Sequence, residues 1–149
     1  MDKLRHREYI GFQVYMAQKA LARSLDLTLA PFGLTSGQWN IMNQLEENGA
    51  MSQRELADYV RKEPATVARM LDRLVSRGLV KRTASPHDRR ANIIENTPEA
   101  TALLQEIDPV VSARSDQLAA GISDADLAVF FDVLQQVREN AQATTGPEA

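Results

Sequence analysis

Cysteine is absent from this chain, and several functions are excluded with it. There can be no disulfide, no thiolate metal centre and no thiol redox switch. Histidine is nearly as scarce, at two residues in 149, so no metal site is expected either. No apolar run approaches the roughly 20 residues of a membrane-crossing helix. The charged start Met1-Asp2-Lys3-Leu4-Arg5-His6-Arg7-Glu8 lacks the apolar stretch of a signal peptide, so a cytoplasmic location is expected. Aromatic residues are only 5% of the chain, yet hydrophobic residues reach 44%, a composition that folds rather than stays disordered. There is no Gly-rich phosphate loop, no nucleophile–base pair and no internal repeat. Nothing marks an enzyme, and no cofactor is expected.

What is present is concentrated between Met51 and Asn96. Ser52-Gln53-Arg54-Glu55 fits a capping box, with Leu56, Ala57 and Val60 as the apolar stripe of the short helix it opens. A second helix opens at Pro64, whose fixed φ and missing N–H suit the first helical position. Val67, Met70, Leu71 and Leu74 lie on one face of it, and Arg69, Arg73 and Ser76 on the other, with Thr66 at the edge. Gly78 stands where a left-handed C′ residue is wanted. Two short runs with β-branched residues follow, 79–83 and 91–95, around a polar loop that contains Pro86 and Asp88-Arg89-Arg90. Helix, turn, helix and basic hairpin make a winged helix-turn-helix.

Charge is segregated in the same way. The segment 51–96 holds ten Lys or Arg against six Asp or Glu, a net of +4, whereas the remainder holds seven against fourteen. The whole chain is therefore mildly acidic, at −3, while the segment that would meet a polyanion is basic. In such a unit the second helix (64–77) enters the major groove of double-stranded DNA and reads base edges, while the wing (84–91) reaches the minor groove. Lys62, Ala65, Thr66 and Arg69 are the candidates to face bases. Arg54, Arg73 and the wing residues Asp88, Arg89 and Arg90 are placed for phosphates or the minor groove, Asp88 as a support paired with Arg90. Ser36, at the start of the preceding helix, completes the candidate DNA-binding set.

The flanking segments carry helical patterns. A long amphipathic helix is expected over 8–30, with Ile10, Val14, Ala17, Leu21 and Leu25 as its stripe. Thr35-Ser36-Gly37-Gln38 is a second capping-box match and opens a helix that buries Trp39, Met42 and Leu45. After the wing, Thr97-Pro98-Glu99 starts a helix bearing Leu103, Leu104, Ile107 and Val111, which Pro109 should kink or interrupt. Ser123-Asp124-Ala125-Asp126 caps a last helix with Leu127, Phe130, Phe131, Leu134 and Val137 on its face, and the end from Ala141 should fray. The expected fold is mainly α with a small β wing. It comprises an N-terminal dimerisation helix (1–34), a DNA-binding lobe (35–96), C-terminal dimerisation helices (97–141) and a flexible tail (142–149). The terminal helices offer more apolar face than such a lobe can cover, so a two-fold homodimer is expected. Its two recognition helices would meet half-sites about 10 bp apart on a pseudo-palindrome.

The runs Leu34-Thr35-Ser36-Gly37-Gln38-Trp39, Ser52-Gln53-Arg54-Glu55-Leu56-Ala57, 63–74, Arg77-Gly78-Leu79-Val80 and Asp88-Arg89-Arg90 resemble the MarR family of bacterial transcriptional regulators, and within it the SlyA-like branch. The Asp-x-Arg of the wing, here Asp88 and Arg90, is the most specific part. The resemblance implies a homodimer joined through its terminal helices, binding to operators near promoters, and release by a small aromatic acid or phenolic effector held between the lobes. Family sensors built on a reactive cysteine are excluded. Val75 stands where the family often has Glu, and Asn96 where it usually has Leu.

Blander readings apply to the other conspicuous side chains. His87 is a turn residue without a nucleophile nearby, and His6 has no partners for a metal. Trp39, Phe130, Phe131, Met16 and Met42 are read as core. A winged helix used only for protein contact predicts a neutral second helix, which the arginines oppose. Repression is the preferred sense of regulation, with a constitutive or activating regulator lacking an effector as the alternative.

Overall fold

The computed structural model describes the backbone of residues 3–145 and the side chains of residues 9–145. Residues 1–2, the side chain of His6 and 146–149 of the expected tail lie outside that description. Helix α1 spans Lys3–Leu29 and ends in a single 3₁₀ turn, Ala30–Phe32. Then follow α2 (Ser36–Asn48), β1 (Met51–Ser52), α3 (Gln53–Val60), α4 (Pro64–Ser76), β2 (Val80–Ala84), β3 (Asn92–Asn96), α5 (Pro98–Leu118) and α6 (Asp124–Thr145). The architecture is mostly helical with a small antiparallel sheet in the order β1-β3-β2, as expected for a winged helix.

Local chemistry accounts for these boundaries. Thr35 and Ser52 both close complete capping boxes, with Gln38 and Glu55 returning a bond to the cap amide. Helix α3 stops at Arg61, which adopts the left-handed conformation at φ 51°. Helix α4 begins with Pro64 and ends in a Schellman motif: the Gly78 amide donates to the Val75 carbonyl and the Leu79 amide to the Leu74 carbonyl, both at 3.0 Å. Ser123 caps α6 by accepting from the Asp126 amide at 3.1 Å.

The wing strands sit one residue later than the sequence indicates, pairing Val80 with Asn96 and Ala84 with Asn92. The third strand was not anticipated. It is two residues long, too short for any alternation to show, and it pairs Met51 with Ile94 and Ser52 with Ile93. Ser52 is thus both the end of a strand and the cap of α3, which fixes that helix to the sheet.

The chain divides into two compact units, Met1–Val111 and Ser112–Ala149. In the first, Leu29, Ile41, Met42, Leu56, Val67, Leu71, Leu74, Ile94 and Ile107 are fully buried together. Each contributes about 1.5–3 kcal/mol by leaving water. The end of α1 and the first half of α5 therefore belong to the lobe's own core, through Leu29, Ala100, Leu104 and Ile107. Less apolar face on the flanking helices is therefore left uncovered than the sequence suggests.

Several core assignments are corrected. Phe130 and Phe131 stand 52% and 62% exposed, because no residue of α6 is buried in the single chain. Met16 is also exposed, on the open stretch of α1, whereas Met42 is fully buried and Trp39 half-buried. Helix α5 runs through Pro109 without a break. Helix α6 continues past Ala141 to Thr145, its last threonine hydroxyls donating to the carbonyls of Ala141 and Gln142.

Candidate nucleic-acid interface

Burial of Val67, Leu71 and Leu74 orients α4. The same helix then leaves Ala65, Arg69, Arg73 and Ser76 exposed, with Thr66 half-buried between the faces. Arg69 does not swing freely: its Nη2 donates to the Thr66 hydroxyl at 3.2 Å, one turn away. Two residues singled out separately as base-facing are therefore one hydrogen-bonded unit.

Lys62 is exposed on the turn before α4. Ser36 stands at the start of α2, its amide donating to the Asp26 carboxylate at 2.7 Å. The two ends approach closely, since a Cβ on Gly37 would lie 2.7 Å from Met70 Cε and 3.6 Å from Lys62 Cε. Ser36 and Lys62 accordingly share one edge of the α4 surface.

The wing turn is built on Asp88. Its Oδ1 accepts from the Arg90 amide at 2.9 Å and its carbonyl from the Ala91 amide at 3.1 Å, while the Ser85 amide donates to the Ala91 carbonyl at 2.8 Å. An Asp side chain closing on the amide two residues ahead is an Asx turn. The expected side-chain pair of Asp88 with Arg90 is thus replaced by a backbone bond. Asp88 shapes the loop and leaves the guanidinium unengaged. His87 donates its amide to the Ser85 hydroxyl and serves as a turn residue.

An open cleft of about 600 Å³ separates α3 and the start of α4 from the wing. Arg54 comes to it from α3, Pro64 from α4, and Asp88, Arg90, Ala91 and Asn92 from the wing. Of the candidates, the cleft gathers Arg54, Asp88 and Arg90; Arg69 and Arg73 lie along α4, and Arg89 at the wing tip, outside it. Gln53, which sequence reasoning passed over, also lines it, with a buried and unpartnered Oε1.

The cleft itself sets two cations, Arg54 and Arg90, beside two anions, Asp58 and Asp88; the remaining candidate cations lie outside it, on α4, the turn before it and the wing tip. Among the described residues the ion pairs are Lys81 with Glu95, at 3.7 Å across the wing ladder, and Arg82 with Asp72. Arg54, Lys62, Arg69, Arg73, Arg89 and Arg90 are all exposed and take part in neither. Glu55 is held below the usual carboxylate range by the amide and hydroxyl of Ser52, so it stays an anion committed to the cap. Among the described residues no cluster of His, Asp and Glu is arranged to hold a metal ion, and no helix is long and apolar enough to cross a membrane.

The MarR family model matches residues 34–91, which run from the start of α2 to the end of the wing loop. The HTH-type transcriptional regulator YwoH of Bacillus subtilis is 31% identical over 118 residues, covering 79% of this chain and 85% of that protein. The chain belongs to the MarR family. MarR-family proteins are transcriptional regulators, not a class of enzyme. Among solved structures, a mutant MarR of E. coli complexed with operator DNA superimposes with a TM-score of 0.81 at 23% identity, covering 92% of this chain and 99% of that one. BpsR of Bordetella bronchiseptica, whose DNA binding is regulated by 6-hydroxynicotinic acid, gives 0.79 at 23% identity, covering 87% and 98%. At these identities the likeness shows the MarR fold.

Both departures from the family pattern find a place. Val75 is 38% exposed on α4 and does not belong to the buried core. Asn96 donates its Nδ2 to the Met42 carbonyl at 2.8 Å and to Glu46 Oε2 at 3.0 Å, and the Thr101 hydroxyl reaches that same oxygen. A polar tie between α2, β3 and α5 stands at the wing base where the family's leucine would pack.

Proposed function

We propose that this MarR-family protein is a cytoplasmic homodimeric repressor of the SlyA-like branch that binds a pseudo-palindromic operator in double-stranded DNA. Residues 64–77 lie in the major groove, where Lys62, Ala65, Thr66 and Arg69 meet base edges. Residues 84–91 lie in the minor groove, with Arg90 inserted and Arg89 at its rim. Ser36, Arg54 and Arg73 hold phosphates. The observation that carries this reading is the division of α4, one face sealed into the core and the other bearing unpaired arginines, beside a cleft flanked by Arg54 and Arg90. A sugar-phosphate strand leaving the major groove for the minor one would pass through that cleft.

The exposed faces of α1 and α6 support the dimer. Tyr9, Phe12, Tyr15, Phe130 and Phe131 are each more than half exposed in the single chain, and a self-complementary contact would cover them. Release by a small aromatic acid or phenolic compound is supported by the likeness to BpsR.

Selection of bound fragments from source DNA, followed by footprinting, tests the reading. The expected result is a pseudo-palindrome protected at two half-sites about 10 bp apart, with affinity falling steeply with salt as counterions are released. Indifference to every duplex at low ionic strength would refute it. A panel of aromatic acids added to the bound operator tests the effector, and retention of DNA against all of them would point to constitutive binding.

A further inference from the structure

Asp72 is out of place on a DNA-reading helix. It follows Arg69 by three positions and precedes Arg73 directly, on the edge of the exposed face of α4. Its side chain is 64% exposed, and a free carboxylate there repels phosphates. The charge is answered from the wing. Arg82, in the middle of β2 and opposite Ile94 on β3, donates its Nη1 to Asp72 Oδ1 at 2.8 Å. The Arg82 side chain is only 26% exposed, and its Nε is shielded from solvent without a partner. The guanidinium is therefore lodged against the sheet, with its bonded end directed at the helix.

An exposed ion pair adds little to folding stability, and the core around Leu71, Leu74 and Val80 already holds α4 and β2 in one lobe. What the pair adds is geometric. It is the one ion pair among the described residues that joins the recognition helix to the wing, and its single bond, from Nη1 of a guanidinium lodged against the sheet, holds the distance between them. We propose that the Asp72–Arg82 pair is a strut that sets the pitch of the wing against α4, and thereby the span between major-groove and minor-groove contacts within a half-site. Asp72 and Arg82 are positioning residues for operator choice, acting through Arg90 without touching DNA themselves. This inference rests on the proposed DNA-binding function.

The sign of one substitution tests it. Asp72→Asn removes an anion from the DNA-facing helix, so charge alone tightens binding to every duplex. A strut predicts the opposite on the operator, a loss of roughly fivefold or more, while binding to random duplex is unchanged or stronger. In an Arg90→Ala background the same substitution should cost nothing further, because the contact it positions is gone. Arg82→Lys, which keeps the charge but not the reach of the guanidinium, should reproduce the selective loss, and it is the fallback should Asp72→Asn fail to fold. Operator binding by Asp72→Asn equal to or tighter than the parent's, or losses that add in the double variant, would overturn the strut and leave the DNA-binding function standing. Failure of the parent chain to bind any duplex would overturn both.

Discussion

Arg77 donates its Nη1 to the Gly33 carbonyl at 2.7 Å and its Nη2 to the Phe32 carbonyl at 2.9 Å, across more than forty residues of sequence. The cation at the end of α4 thus seizes the carbonyls left open where α1 stops. Gly33 has φ 69°, and a Cβ added there would come within 3.2 Å of Arg77 Nη1. The clasp needs glycine both for its backbone conformation and for the space the guanidinium fills. It ties α4, the proposed recognition helix, to the end of the N-terminal helix.

Arg77→Ala should therefore lower stability by about 1 kcal/mol, the modest figure that suits an exposed, charge-assisted bond. Gly33→Ala should cost about 1–2 kcal/mol, since the left-handed penalty is added to the crowding. Urea midpoints of both variants check this. Midpoints equal to the parent's would show that the clasp is a passive contact.

The two arginines of the interface should fail differently. Arg69, held by the Thr66 hydroxyl, is the residue proposed to read base edges, so Arg69→Ala should cost about 1–3 kcal/mol on the operator and much less on random duplex. Arg90→Ala should weaken operator binding with dimerisation untouched. Competition titrations against operator and random DNA separate these cases. Equal losses of Arg69→Ala on both would reduce that residue to a phosphate contact.

How far the fold could be read from sequence depended on distance along the chain. The capping boxes at Thr35 and Ser52, Pro64 at the start of α4, Gly78 at its end and the apolar stripe of Val67, Leu71 and Leu74 are local signals, and each marked its element. The wing strands were displaced by one residue because a five-residue strand offers too few alternations to fix its register. Arg77 to Gly33, Arg82 to Asp72 and Asn96 to Met42 are tertiary bonds with no local signature, so nothing in the sequence singled them out. Asp88 illustrates the middle case. Its importance to the wing was legible, but the bond it makes is to the Arg90 amide, and only the folded turn distinguishes that from a side-chain pair.

Acid should loosen α3 from its first turn. Glu55 is an anion held below the usual carboxylate range by the Ser52 amide and hydroxyl. A lowered folded pKa means that its stabilisation is complete above the unfolded value and is lost as pH falls through the folded one. Glu55→Gln keeps an acceptor for the cap but cannot titrate. The stability gap between parent and variant should accordingly narrow as pH drops below the ordinary carboxylate range. A gap constant from neutral to acid pH would show that the capping charge contributes nothing.

The dimer is the part of the proposal that α6 carries most directly. Its aromatic pair, Phe130 and Phe131, has ring centroids 5.7 Å apart, tilted by 55°, and both rings remain more than half in water in the single chain. Fully burying a phenyl side chain is worth about 1.5–3 kcal/mol, so covering the exposed half of each ring would still gain on the order of 1 kcal/mol, which favours a covering surface. Phe131→Asp would place a charge where that surface closes, with no loss to the monomer's own core, because Phe131 contributes nothing to it. Sedimentation should then show a monomer with unchanged helix content. Operator affinity should fall far more than any single interface arginine accounts for, since each lobe alone meets one half-site. A variant that sediments as the parent does would place the self-contact elsewhere on the chain.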